Sequence, residues 1–329
     1  MPHETVLTIG NFDGVHIGHA ALVRKARELA AARPGHTRVV ALAFHPHPLT
    51  LLRPEQAPAT LTTFDRRAEL LVKLGCDAVE RLHPTPELLA LTPKEFVEQI
   101  VQRLNPVAIV EGPDFRFGHA RAGDNATLAD LGRARGFEVH TVDPVMVDLT
   151  DQTLATASST LVRWLLGAGR VEDAARVLSR PYELAGVVVR GDQRGRAIGF
   201  PTANLSTPTM LPADAVYAGR ALLPDGRTRA AAIHVGTRST FNDTTRTVEA
   251  YIMDWPGPVA EGTPEYGWPL RLTFDHWLRD QVKFESVPAL VEQIHRDVAR
   301  VARFASEAGG RSAGYPAATP APVRRPSEH

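Results

Sequence analysis

Near residue 180 the hydrophobic pattern of this chain changes period, and no single sheet or bundle accommodates both halves. From residue 4 to about 145, apolar runs alternate with segments of helical spacing. Val39-Val40-Ala41-Leu42-Ala43-Phe44, Val107-Ala108-Ile109-Val110 and Glu138-Val139-His140-Thr141-Val142 read as strands. Between them, Arg66 to Leu74 and Pro93 to Leu104 repeat apolar residues at helical spacing, the second through Phe96, Val97, Ile100, Val101 and Leu104. Fully apolar strands alternating with amphipathic helices predict an α/β, Rossmann-like, doubly wound parallel sheet with its ligand site at the carboxyl ends of the strands.

Two short helices over 158–168 and 171–180, divided by Gly167-Ala168-Gly169, lead to an expected boundary at Arg180-Pro181-Tyr182. Beyond it the strand-like runs are short and close together: Leu184 to Val189, Ala215 to Ala218, Ala230 to Val235, Thr247 to Met253 and Leu270 to Phe274. Closely spaced strands without intervening helices predict an antiparallel barrel. A helix over about 287–306 comes next, with Leu290, Val291, Ile294, Val298 and Val301 as its packing stripe. The tail from Gly309 is rich in Gly, Ala, Pro and Ser, cannot bury a face, and is expected to be disordered. The expected division is therefore 1–180, 181–308 and a tail 309–329.

Composition narrows the partners. Across 329 residues, 37 basic side chains balance 37 acidic ones, so no global basic field draws nucleic acid or an anionic membrane. The single cysteine, Cys76, excludes an internal disulfide and reads as a small buried residue after a helix end. No run approaches the roughly 18 apolar residues of a membrane span, and a cytoplasmic protein is expected. The oligomeric state stays open.

The densest signal is Thr8-Ile9-Gly10-Asn11-Phe12-Asp13-Gly14-Val15-His16-Ile17-Gly18-His19. An apolar strand (Val6, Leu7, Ile9) breaks at Gly10, and a glycine-punctuated turn carries two histidines into the start of a helix. Such a turn lets backbone approach a phosphate, and the helix N-terminus offers unpaired N–H donors. His16 and His19, three apart, face the same way and can donate to phosphate oxygens as charge develops. The bland alternative is a strand–turn–helix corner with incidental histidines.

Three further clusters carry chemistry. In Ala157-Ser158-Ser159-Thr160-Leu161-Val162-Arg163, hydroxyls at a helix start and an arginine one turn on suit phosphate oxygens; an ordinary cap with Arg163 solvated fits as well. Gly112-Pro113-Asp114-Phe115-Arg116-Phe117-Gly118 comes after a strand at the site edge of the sheet, its aromatics either ligand contacts or anchors to the core. In Gly191-Asp192-Gln193-Arg194-Gly195-Arg196-Ala197-Ile198-Gly199-Phe200-Pro201-Thr202-Ala203-Asn204, a glycine loop able to wrap phosphates precedes a threonine hydroxyl and an asparagine carbonyl, oxygen ligands of the kind magnesium accepts. A glycine-rich β-turn is the simpler reading, and the P-loop pattern is not met.

His16-Ile17-Gly18-His19 resembles the His-x-Gly-His signature of nucleotidyltransferases. The fuller string from Gly10 is similar to that of the bacterial bifunctional riboflavin kinase/FMN adenylyltransferase (FAD synthetase) family. The resemblance runs over about residues 4–306, in family order. It implies ATP and phosphate contacts at Gly10, Asn11, Phe12 and Gly18, with His16 and His19 catalytic. Residues 158–163 resemble the family's Ser-Ser-Thr-x-Ile-Arg element, which implies Ser159, Thr160 and Arg163 on the β- and γ-phosphates that leave as pyrophosphate. The Gly-x-Asp-Phe-x-Phe-Gly loop implies Asp114, Phe115 and Phe117 near the flavin.

In the second half, residues 191–204 resemble the riboflavin kinase signature. That implies phosphate contacts at Gly191, Gly195 and Arg196, and magnesium (Mg2+) at Thr202 and Asn204. The family's base, a glutamate on a later strand, matches Glu249, which pattern alone reads equally well as an outward strand residue. Tyr266-Gly267 and Leu278-Arg279-x-x-x-Lys283-Phe284 also resemble family elements, with Arg279 and Phe284 implied at the flavin. Departures are His45 in Phe44-His45-Pro46-His47-Pro48, where the family has aspartate, and His234 and Ser239 in the stretch 234–241.

The resemblance implies phosphorylation of riboflavin to FMN, then adenylyl transfer from ATP to FMN giving FAD and pyrophosphate. A riboflavin kinase whose first domain is weakened or non-catalytic is the second reading, motivated by His45. A non-catalytic flavin- or nucleotide-binding regulator is the third, against which His16, His19, Thr202, Asn204 and Glu249 argue.

Overall fold

The computed structural model describes residues 4–237, 246–255 and 264–309. Its first sheet contains β1 (Thr5–Gly10), β2 (Arg38–Phe44), β3 (Ala78–Leu82), β4 (Pro106–Glu111) and β5 (Glu138–Thr141). Their order is β3-β2-β1-β4-β5, and every pair is parallel. The connections supply α1 (Ile17–Ala31), the single turn α2 (Leu49–Leu52), α3 (Phe64–Leu74), the short α4 (Pro86–Ala90), α5 (Pro93–Leu104) and α6 (Asn125–Arg135).

Consecutive strand residues point into opposite cores, which is why the strands read as unbroken apolar runs. Val6, Val39 and Ala41 meet Val23, Ala26 and Leu71 of α1 and α3 on one face. Leu7, Leu42 and Ile109 meet Phe96, Ile100 and Leu128 of α5 and α6 on the other. The doubly wound expectation is met. Since β1 and β4 are neighbours whose chains leave in opposite directions, the switch point lies at Gly10 and Glu111.

A two-stranded sheet, β6 (Met146–Asp148) with β7 (Leu154–Thr156), precedes α7 (Ser159–Gly167) and α8 (Val171–Leu178). The chain forms two compact units, the first comprising 1–147 and 154–163, the second 148–153 and 164–329. In the second unit the buried Asp173 of α8 accepts from Thr150 N at 2.6 Å, from Thr150 Oγ1 at 2.9 Å and from Arg170 Nε at 2.7 Å.

The rest of the second unit is a closed antiparallel barrel of β8 (Tyr182–Val189), β9 (Ala203–Ser206), β10 (Ala215–Leu222), β11 (Thr228–Thr237), β12 (Arg246–Ile252) and β13 (Pro269–Asp280), in the order β10-β11-β12-β9-β8-β13. The single turn α9 (Arg194–Ala197) interrupts the β8–β9 connection, and α10 (Val287–Gly309) comes after the last strand. Strand alternation decides what the barrel encloses. Ala231, Ile233, Val235, Val248, Ala250 and Ile252 are buried inside, so their neighbours His234 and Glu249 lie on the outer wall. Helix α10 covers part of that wall, with Val301 and Phe304 against Val216, Ala218 and Leu278. The barrel and terminal helix match the expectation, while the tail beyond Gly309 lies outside the described residues. Among those residues no helix is long and apolar enough to cross a membrane.

Candidate active sites

In the first unit, β1 ends at Gly10 and the chain turns sharply before α1. Phe12 and Val15 both take left-handed backbone, at φ 49° and 46°. For a β-branched valine that conformation is costly, so the surrounding contacts must enforce it. His16 is the N-cap of α1. Its Nδ1 accepts from Gly18 N at 3.1 Å, while His19 Nδ1 accepts from His16 N at 3.2 Å, a reciprocal capping box made of imidazoles. The two rings stack with centroids 3.7 Å apart. With Nδ1 an acceptor on both, each neutral ring carries its proton on Nε2 and presents that nitrogen as a donor. A side chain at position 18 would put Cβ 3.0 Å from the His16 ring, so glycine there spares the stacked pair a tight contact.

Asp13, buried within this turn, is the cross-link that sequence reasoning missed. Its carboxylate accepts from Leu61 N at 2.9 Å, Thr62 N at 3.0 Å, Thr62 Oγ1 at 3.1 Å, Arg67 Nη2 at 3.2 Å and Arg163 Nη2 at 2.5 Å. Arg67, also buried, donates to the carbonyls of Asn11 (2.6 Å) and Phe44 (3.0 Å), joining the ends of β1 and β2. Burial pulls the Arg67 guanidinium below its ordinary value, and Asp13 opposes that shift. Arg163 is tied rather than solvated, since its Nε also donates to Ala59 O at 2.6 Å.

Ser158 caps α7 by accepting from Leu161 N, whereas Ser159 donates to Asp13 O at 2.7 Å and thereby holds the turn between β1 and α1. Thr160 is exposed on the same first turn. A cleft opens beside these groups, lined among others by Asn11, His45, His47, Arg67 and Arg163. Burial, then Arg67 and Arg81, keeps the His45 imidazole below its usual range; burial and Arg163 do the same for His47. Both are neutral near pH 7. The buried Asn11 Oδ1 has no hydrogen-bond partner among the described residues, which suits it to accept from a ligand.

The loop after β4 brings Phe115 and Phe117 together, with ring centroids 5.5 Å apart. Phe117 is buried against Phe96 at 5.8 Å, so it anchors the loop to the core, with Phe115 stacked on it and half-buried; Asp114 is exposed.

In the second unit, strand register assembles the site. Across the barrel, Arg279 pairs with Val216, Val216 with His234, His234 with Glu249, Glu249 with Asn204, and Asn204 with Val189. Directly paired residues share a face, so Glu249 is an outward strand residue and also stands among the site groups. Thr202 Oγ1 donates to Glu249 Oε2 at 3.4 Å. The glycine loop closes over this row: a Cβ at Gly191 would fall 2.2 Å from the Asn204 amide, and one at Gly195 2.2 Å from Phe200 O. The Phe200 ring sits between Tyr251 of β12 and His295 of α10, at 5.2 and 5.0 Å. Arg196 pairs with Glu265 at the surface.

Arg279 holds α10 through Asp297, with Nη2 2.9 Å from Oδ2, and its guanidinium lies 5.5 Å from the Phe284 ring centroid. Burial lowers the His234 imidazole, Glu249 raises it and Arg279 lowers it, so these three groups sense one another. Residues 238–241, including Ser239, lie outside the described residues.

Cys76 is buried after the α3 C-cap Gly75, and burial pushes its thiol up to about 12, which leaves it inert as a nucleophile.

The family model for FAD synthetase matches residues 1–157, and that for riboflavin kinase matches residues 178–305. A bifunctional riboflavin kinase/FMN adenylyltransferase of Pseudomonas fluorescens is 34% identical over 309 residues, covering 93% of this chain and 94% of the relative. The one of Listeria monocytogenes is 33% identical over 298 residues, covering 89% and 90%. A crystal structure from Streptococcus pneumoniae, described as a macrolide-efflux protein, has a TM-score of 0.79 at 29% identity and covers 91% of this chain and 94% of its own. That description disagrees with the other matches. The two family models and the curated relatives agree with one another, and they carry the assignment.

Proposed function

The chain belongs to the bifunctional riboflavin kinase/FMN adenylyltransferase family, and on that premise we propose that it makes FAD from riboflavin in two ATP-dependent steps. The observation that carries this reading is that one chain assembles two sets: stacked imidazoles at a helix N-terminus on the switch point, and on the barrel wall a carboxylate, Glu249, in register with Asn204 and hydrogen-bonded by Thr202. We assign adenylyl transfer to the first unit and phosphorylation to the barrel unit.

In the kinase step, Glu249 takes the proton of the riboflavin 5′-hydroxyl as that oxygen attacks the γ-phosphorus of ATP and ADP leaves. The backbone of 191–196 cradles the phosphates. Thr202 and Asn204 suit magnesium because a hydroxyl and an amide oxygen are hard donors, and Gly191 leaves the Asn204 amide a cradle that any side chain would fill. When bound, magnesium supplies positive charge to the nucleotide phosphates.

In the second step, an FMN phosphate oxygen attacks the α-phosphorus of ATP and pyrophosphate leaves. No covalent nucleophile is needed; positioning and charge stabilisation suffice. His16 and His19 donate through Nε2 to the phosphates, helped by the first N–H groups of α1. Asp13 holds Arg67, Arg163 and the turn in place. Dependence on ATP at both steps supports a cytoplasmic location.

Incubating the purified chain with riboflavin and MgATP and resolving flavins by chromatography tests the proposal. FMN should appear first and FAD after it. FMN without FAD at every magnesium concentration would establish the kinase-only reading that His45 motivates, and neither product would sink both.

A further inference from the structure

Glu111 is a buried carboxyl group that neither step uses. It closes β4 at the switch point, and its exposure is 2%. Its backbone is held by β5, pairing with Thr141 and accepting from Val142 N at 2.9 Å. The side chain reaches the other way. Glu111 Oε1 accepts from Ile9 N at 2.6 Å, two residues beyond the last β1–β4 pair, Leu7 with Ile109. Here the strands separate to open the crevice, and the main-chain ladder no longer supplies an acceptor for that N–H. An unsatisfied buried N–H would cost about 1–3 kcal/mol, so a side chain takes the ladder's place.

The position matters because the phosphate turn starts one residue after Ile9, at Gly10, and its Phe12 and Val15 are held in left-handed backbone. Such conformations persist only where the surroundings over-determine them. Asp13 braces the turn from within, and the Glu111 contact braces its root. We propose that Glu111 is a positioning residue for adenylyl transfer, fixing the end of β1 from which the phosphate turn departs. Burial raises this carboxyl above the ordinary range, while the bond from Ile9 N–H lowers it. The role assigned to it is that of a hydrogen-bond acceptor, which the amide oxygen of glutamine also fills.

The inference rests on the adenylyltransferase reading, and the test separates the two. FAD formation from supplied FMN and MgATP is measured in the full chain for wild type, Glu111→Gln and Glu111→Leu, with FMN formation from riboflavin as internal control. No FAD from wild type overturns the adenylyltransferase reading itself. With FAD from wild type, Glu111→Gln is expected to keep wild-type kcat and KM for ATP, since the amide oxygen still accepts from Ile9. Glu111→Leu should lower kcat/KM for ATP by about 10- to 100-fold while FMN formation is unchanged. A Gln variant as impaired as the Leu variant would mean that an ionised carboxylate acts on the reactants, and a fully active Leu variant would mean that the contact positions nothing; either overturns the proposal. If melting shows the first unit of the Leu variant unfolded, the Gln variant decides alone: wild-type kinetics support the proposal and a loss of about tenfold or more overturns it.

Discussion

The two sites of this chain are held together by different forces. In the first, side chains hold one another: Asp13 takes hydrogen bonds from a loop, from α3 and from α7, and two imidazoles cap the helix they serve. In the second, the row from Arg279 to Val189 is set by strand register, and Thr202 meets Glu249 only through a long 3.4 Å contact. A cross-linked site couples catalysis to local stability. A register-built site leaves its side chains exchangeable, because backbone ladders keep their positions when a head group changes. Substitutions should therefore separate rate from stability in the barrel and mix them in the sheet.

The largest rate effect is expected from Glu249→Gln, which removes the base and keeps the shape. FMN formation should fall by about 10²–10⁴, while FAD formation from supplied FMN and the melting profile stay as in wild type. Near-normal kinase turnover would reduce Glu249 to a strand residue. Asp13→Ala should do the reverse. It strands the buried Arg67 without its counter-charge, at a cost of about 3–5 kcal/mol to the first unit, so adenylyl transfer is lost together with that unit's melting transition while FMN formation persists. A variant that melts like wild type would show that the cross-link is dispensable and break the comparison.

His16→Ala with His19→Ala lies between these. Loss of two donors to the phosphates should cost about 10²–10³ in adenylyl transfer, and loss of the imidazole caps about 1 kcal/mol in α1. Full FMN formation in the same preparation is the control. An equal fall in both activities would mean that the sites are not separate.

Legibility in the sequence tracked the range of the interactions. Helix α5 runs over Pro93–Leu104 as its spacing predicts, because its stops are local: a Thr92–Glu95 capping box, a first-turn proline and a left-handed Asn105. Strands β2 and β4 were legible because both faces are buried. Strand β3 was not, since Glu80 and Arg81 break its apolar run at the sheet edge, and α6 was masked by Gly132 inside it. Likewise His16, His19, Thr202, Asn204 and Glu249 stand within recognisable strings. Asp13 meets Arg67 across 54 residues and Glu111 meets Ile9 across 102, and nothing local marks a buried carboxyl group whose partner is that far away. For Phe117 the two readings of an aromatic loop residue were resolved only by its burial against Phe96.

The smallest expected effect is a pH response of opposite sign in the two units. His45 and His47 are held below the ordinary histidine value near 6.5, chiefly by burial, so the unfolded first unit binds more protons and its stability is lost as pH falls through about 6.5. His276 behaves oppositely: its bond to Glu172 of α8 raises it, helped by Asp275 and Glu307, while burial pulls down. The folded barrel unit then binds more protons at that site, so this contribution is complete below about 6.5 and fades as pH rises through the raised value. His276 and Glu172 are 41% and 37% exposed, which limits the pair to about 0–1 kcal/mol. The half-buried His234 in the same unit acts in the sense of His45, so the whole-unit slope mixes both signs. Comparing wild type with His276→Gln isolates the pair. Calorimetric melting from pH 5.5 to 8.5 should show the variant's deficit in the second transition at the acid end and its disappearance at the alkaline end. A deficit independent of pH would mean that His276 contributes by packing on Phe304, 4.2 Å between ring centroids, and not by charge.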